Sequence, residues 1–128
     1  MNNNEPINMT SPKKTPAAPP EKAEQYDRLI ASVPEIERKG AANPYTSLNG
    51  NMFSYLHFSG LMALRLSPSD RLAFLEKYQT KLFEAYGIVQ KEYVTVPEHL
   101  LENTDELRPY LLMSLEYAKS LKPKPTKK

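Results

Sequence analysis

Asn43–Leu66 reads NPYTSLNGNMFSYLHFSGLMALRL, and the fold turns on how this stretch is read. Asn49-Gly50 is a strong short hairpin signal, because both central residues of a type I′ turn need φ > 0, which Asn and Gly tolerate. Ser59-Gly60 marks a second turn further along. That spacing predicts three short strands in an antiparallel meander. In the third, Met62, Leu64 and Leu66 alternate with Leu61, Ala63 and Arg65, so the Met62 side points inward and Arg65 outward. The second strand is two-faced. Met52, Ser54 and Leu56 fall on one side and Phe53, Tyr55 and His57 on the other, and both sides are partly apolar. Such a strand permits a sheet whose second face is also used.

The flanking segments read as helices that need this sheet as a partner. Tyr26, Leu29, Ile30 and Val33 recur at i, i+3, i+4 and i+7, one stripe of an amphipathic helix, and Pro34 ends it. Ser67-Pro68-Ser69-Asp70 is a helix start, with Ser67 as cap, Pro68 at the first helical position and Asp70 at the positive end of the dipole. Leu72, Phe74, Leu75 and Tyr78 form the expected buried side of that helix. Gly87 separates a short extended piece, 82–86, from a strand over about 89–96, in which Val94 and Val96 alternate with Lys91, Tyr93 and Thr95. Pro97 opens a short helical turn. Asn103 to Glu106 then starts a last helix, lined by Leu107, Leu111, Ser114, Leu115, Ala118 and Leu121. Strands in a run with helices beside them predict an α+β two-layer sandwich: an antiparallel sheet with helices on one face, in the order α-β-β-β-α-β(β)-α.

Composition frames this as one domain, 21–121, between a polar N-terminal tail, 1–20, and a basic C-terminal tail, 122–128. The charge of +2 is uneven. Lys22–Ala118 carries ten basic against thirteen acidic side chains, whereas Lys119, Lys122, Lys124, Lys127 and Lys128 close the chain without an acid. With no Cys there are no disulfides or thiolate sites, and His57 and His99 alone do not make a zinc site. No apolar run approaches the ~20 residues of a membrane span and no secretory signal opens the chain, so the cytoplasm is the default location.

Enzymatic signatures are missing: no Gly-rich phosphate loop, no GxSxG, no HExxH. Asp105-Glu106 reads as helix capping rather than a catalytic pair. Glu84 and Glu92 flank the Tyr86-Gly87 break and read as exposed strand ends. The expectation is a non-enzymatic interaction domain without cofactor or metal. Its binding face is the sheet side opposite the helices, carrying Arg65, Lys91, Tyr93, Thr95 and Ala63, joined by Tyr55 or Tyr45. Tyr and Met side chains there suit a homodimer or a protein partner. Basic groups interleaved with aromatics, with Lys122, Lys124, Lys127 and Lys128 as a polyanion-attracting tail, suit nucleic acid as the alternative.

NGNMFSYL (49–56), MALRL (62–66) and KEYVTVPEHLLENTDELRPYLLMSLEYA (91–118) together resemble the N-terminal domain of the TfoX/Sxy family. More narrowly, they resemble the small stand-alone proteins built from that domain. The resemblance covers about Leu29 to Lys124. It is most specific at Gly50-Asn51-Met52-Phe53, Leu64-Arg65 and Tyr93-Val94-Thr95-Val96-Pro97. AYGIVQKEYVTV (85–96) is also similar to a strand of the YjbR-like proteins, which share that fold. The resemblance implies a helix, three strands, a helix, two strands and a helix. It also implies a regulatory rather than catalytic role, since named members regulate natural competence and the YjbR-like fold has been compared with a DNA-binding module.

Overall fold

A computed structural model of the chain describes residues 17–124. The elements are α1 (Pro20–Ala31), β1 (Tyr45–Leu48), β2 (Asn51–Leu56), β3 (Met62–Arg65), α2 (Pro68–Tyr78), β4 (Leu82–Ala85), β5 (Ile88–Val96), α3 (Glu98–Leu101) and α4 (Thr104–Ser120). The strands form one five-stranded antiparallel sheet in the order β1-β2-β3-β5-β4. The meander is as expected, and Asn49 and Gly50 turn it at φ 52° and 82°. The architecture is the α+β two-layer sandwich.

Cross-strand register explains which side chains meet the helices. Ser54, Leu64 and Val94 stand opposite one another, as do Leu56, Met62 and Val96. These pack with Tyr26, Leu29, Ile30 and Val33 of the first helical segment and with Leu100, Leu101, Leu107, Leu111 and Leu115. The Tyr26 hydroxyl is buried in this core. It lies 2.7 Å from Ser54 Oγ, which in turn lies 2.6 Å from Thr46 Oγ1, so three buried hydroxyls satisfy one another. Ser67 caps α2 by accepting from the Asp70 amide at 3.4 Å, and Asn103 caps α4 by accepting from the Glu106 amide at 3.3 Å. On α2 the expected apolar side is narrower than its pattern: Phe74 is buried, but Leu72 is 67% exposed.

The two-faced second strand is resolved by a bulge. Thr46 pairs with Ser54 while Ser47 pairs with Met52, which leaves Phe53 as the extra residue. A bulge breaks the period of two, so Phe53 enters the helix-side core beside Ser54 instead of joining Tyr55 on the far side. Met52 is displaced outward and is 38% exposed. Ser114 of α4, itself buried, donates its hydroxyl to the Phe53 carbonyl at 3.1 Å. The helix thereby satisfies a backbone group that the bulge takes out of the regular ladder.

Both chain ends are tied down where they are described. Of the expected N-terminal tail, residues 1–16 lie outside the described residues, but Ala18 is buried and α1 begins at Pro20. At the other end, the Asn51 side-chain amide donates to the Lys122 carbonyl at 3.1 Å, and the Lys124 amide donates to the Asn49 carbonyl at 2.8 Å. Lys122–Lys124 therefore runs as a strap along the Asn49-Gly50 turn. Residues 125–128 lie outside the described residues.

Candidate functional site

The second face of the sheet has its own small core. Ala63, Phe83 and Ala85 are buried there, with Tyr55, Leu61 and Tyr93 packed against them. All six belong to strands or the loops that join them, so the rings of the sheet cover this face. Tyr55 meets Phe83 edge-on at 5.5 Å and Tyr93 at 5.7 Å. On a flat sheet the three strand spacings from β2 to β4 would hold Tyr55 and Phe83 about 14 Å apart. The sheet is therefore strongly curled, and the small side chain of Ala63 leaves room for the rings to close over it.

The curl has a local cause. Leu82 pairs with Val94, yet the next residue, Phe83, pairs with Gln90, so Lys91, Glu92 and Tyr93 are spent against a single step of β4. This second bulge bends β5 and breaks its alternation. Beyond it, Tyr86 and Gly87 close a two-residue hairpin at φ 56° and 75°. The Gly87 break expected from the sequence is thus a hairpin turn that carries β4 and the start of β5 over the second face. His57 and Phe58, at the end of β2, meet it there: His57 lies 5.8 Å from the Tyr86 ring and Phe58 lies 6.2 Å from it.

Of the residues expected to form a binding face, Arg65, Lys91, Tyr93 and Lys124 line one shallow cleft of about 260 Å³ together with Gln90 and Glu92. Tyr55 adjoins it through Tyr93. Tyr45 stands opposite Tyr55 in the register of β1 and β2. Lys122 is held by its main chain at Asn51, and Lys127 and Lys128 lie outside the described residues. Arg65 and Tyr93 lie on the expected face and are engaged within the chain. Arg65 Nη2 lies 2.6 Å from Glu92 Oε1, and its side chain is only 16% exposed. Its guanidinium also sits 5.8 Å from the Tyr93 ring centroid and 5.9 Å from that of Tyr117 on α4. Tyr93 is half-buried and donates its hydroxyl to the Met52 carbonyl at 2.7 Å, a carbonyl freed beside the first bulge. Lys91 and Lys124 are the exposed cations of the cleft.

The electrostatics favour neutral rings. Burial pushes the Tyr55 phenol up to about 12, with Tyr93 and Tyr86 nearby adding to the effect. Burial also raises Tyr93, and Glu92 adds to the rise while Arg65 opposes it. Both phenols are protonated at neutral pH and serve as ring surfaces, Tyr93 also as a hydrogen-bond donor, and not as bases. Of the paired carboxylates, Asp105 bonds Arg108 at 2.9 Å and Glu106 accepts from Tyr78 at 2.8 Å, which fits their capping position. Among the described residues no group of three or more His, Asp or Glu side chains is placed to hold a metal ion. No described helix is long and apolar enough to cross a membrane.

Phe83 and Phe58 belong to this face but were not picked out by sequence reasoning, which placed His57 on the side of Tyr55 and named Tyr86 only at the hairpin break. The available signal was Ala85-Tyr86-Gly87-Ile88 as a two-residue turn, weakened because Tyr resists φ > 0. No family model matches the chain, and no curated protein or solved structure matches it either.

Proposed function

We propose that the protein is a non-enzymatic regulatory module of the cytoplasm that binds a protein partner, or a second copy of itself, through the rim of the second sheet face. The carrying observation is the apolar surface left at the β4–β5 hairpin: Tyr86 is 79% exposed, Ile88 64% and Val89 47%. Three large apolar side chains within four residues on one projecting hairpin form a patch of the kind that marks an interaction surface. The element order is also the one implied by the resemblance to the TfoX/Sxy N-terminal domain, which supports membership of that family and a regulatory role. Sedimentation tests the self-association arm. Twice the monomer mass at micromolar concentration is expected, with Ile88→Glu and Val89→Glu together returning the protein to monomer. A species whose mass ignores both changes counts against a second copy on this rim.

A nucleic-acid partner is the second reading, favoured by the exposed Lys91 and Lys124 beside the Tyr93 ring. It predicts single-strand binding, seen by fluorescence anisotropy, that weakens steeply between about 50 and 200 mM salt. Lys91→Ala with Lys124→Ala removes it. Silence at low salt ends this reading and leaves the protein-partner reading standing.

A further inference from the structure

Two clefts open on the second face and share a wall. The first, of about 450 Å³, runs between the end of β2 and the tip of the β4–β5 hairpin, and Tyr55, His57, Phe58, Tyr86 and Gln90 are among its lining residues. Its volume falls in the range of small-molecule sites, and half of its lining residues carry rings. One polar atom in it is unusual. The Ser59 backbone amide lies 3.0 Å from His57 Nδ1, and an amide N–H can only donate, so Nδ1 is the acceptor. In the neutral ring the proton then sits on Nε2, which is buried and has no hydrogen-bond partner among the described residues. A buried donor without an acceptor is uncommon in folded proteins and calls for an explanation. Tyr86, 5.8 Å from the His57 ring, is on the hairpin tip and 79% exposed, and its positive φ of 56° is an uncommon conformation for a bulky residue.

The second cleft is the cationic one. Lys91, Lys124 and Arg65 face Glu92 there, an excess of positive charge, and Gln90 lines this cleft as well as the first. Tyr55 of one cleft touches Tyr93 of the other at 5.7 Å between ring centroids. The trough therefore has stacking surfaces over a buried N–H donor at one end, and two exposed ammonium groups at the other.

We propose that this trough binds a nucleoside phosphate. With Tyr86 swung outward from its 5.8 Å contact with His57, the base stacks between Tyr86 and the His57–Phe58 pair and accepts a hydrogen bond from His57 Nε2, while the phosphate lies between Lys91 and Lys124. A purely apolar ligand would leave both the Nε2 donor and the ammonium pair unused. A simple anion would leave the rings unused. The proposal shares Tyr86 with the protein-partner reading, but Ile88 and Val89, whose substitution tests that reading, are outside the two clefts.

Amide NMR spectra of the labelled full chain, titrated with AMP, adenosine, inorganic phosphate and a short single-stranded oligoadenylate, test it. AMP is expected to shift the amides of Phe58, Tyr86 and Lys91 together, and to bind about tenfold tighter than adenosine through its charged phosphate contacts. Lys91→Ala with Lys124→Ala removes that advantage and leaves adenosine binding unchanged. Tyr86→Ala, at an exposed tip, keeps the folded spectrum and weakens both ligands by about tenfold, the loss of one stacked base. The oligonucleotide separates the two sources of the same chemistry. Binding at the same residues with an affinity near that of AMP supports a free nucleotide, and much tighter binding supports a nucleotide within a strand. No AMP-induced shift at millimolar concentration overturns the proposal, as does equal binding of AMP and adenosine, or binding of the oligonucleotide with AMP silent.

Discussion

The two faces of the sheet are closed by opposite means. On the helix side, Phe53, Leu56, Met62, Leu64, Val94 and Val96 are buried under side chains from a second layer. On the other side, Ala63, Phe83 and Ala85 are buried under rings from neighbouring strands, and no helix residue is part of that cluster. The first arrangement needs only apolar side chains at the right period. The second needs a curled sheet, a small residue at its centre and aromatics long enough to meet across it. Each edge-on ring pair adds about 0.5–1.5 kcal/mol beyond burial, so the second face closes firmly at its centre. Its rim stays open, and there the apolar hairpin tip and the exposed lysines lie. A sheet face without a helical layer is thus neither bare nor sealed.

Substitutions can break that contrast. The largest effect is expected for Phe53→Ala, which empties the helix-side core at the bulge and should cost about 3–5 kcal/mol in urea unfolding. A loss below 1 kcal/mol would mean that the bulge residue carries no core weight. Tyr26→Phe comes next, at about 1 kcal/mol for the hydroxyl it removes from the Ser54–Thr46 group. That variant also sharpens the pH behaviour of the two faces. Burial raises the Tyr26 phenol on one face, and burial raises Tyr55 to about 12 from an ordinary 10.0 on the other. Between those values the unfolded chain gives up its protons first. The stability is therefore fully present below pH 10 and lost as pH rises towards 12. The urea midpoint should fall over that window, and Tyr26→Phe should make the fall shallower. A midpoint indifferent to pH in this window would show both phenols to be solvated. The smallest effect is expected for Ile88→Ser on the open rim, within about 0.5 kcal/mol either way by thermal unfolding, because little of that side chain is packed.

Much of the helix-side face was legible because it follows simple periods. The Tyr26–Val33 stripe, the Met62–Leu66 alternation, the Ser67 and Asn103 caps and the Asn49-Gly50 turn each depend on residues close in sequence. The second face follows no such rule. Phe53 changes sides because of a bulge whose carbonyl is satisfied by Ser114, sixty-one residues away. Glu92 reaches Arg65 because the second bulge breaks the alternation that would have separated them. The hairpin at Tyr86-Gly87 uses a residue that turn preferences disfavour. Lys91, Tyr93 and Arg65 were legible as residues of one region, but the engagement of Arg65 and Tyr93 with Glu92 and the Met52 carbonyl was not.

The strap at the Asn49-Gly50 turn ties two remote properties together. A methyl group on Gly50 would stand 2.8 Å from the Lys124 carbonyl oxygen and 2.9 Å from its Cβ, in a backbone conformation that already resists any side chain. Such a wedge would evict the last described residues from the turn and carry the Lys124 ammonium away from its neighbours Lys91 and Arg65. The smallest residue in the first hairpin thus acts as a latch for the charge on a rim built by the last one, and neither can be altered without disturbing the other.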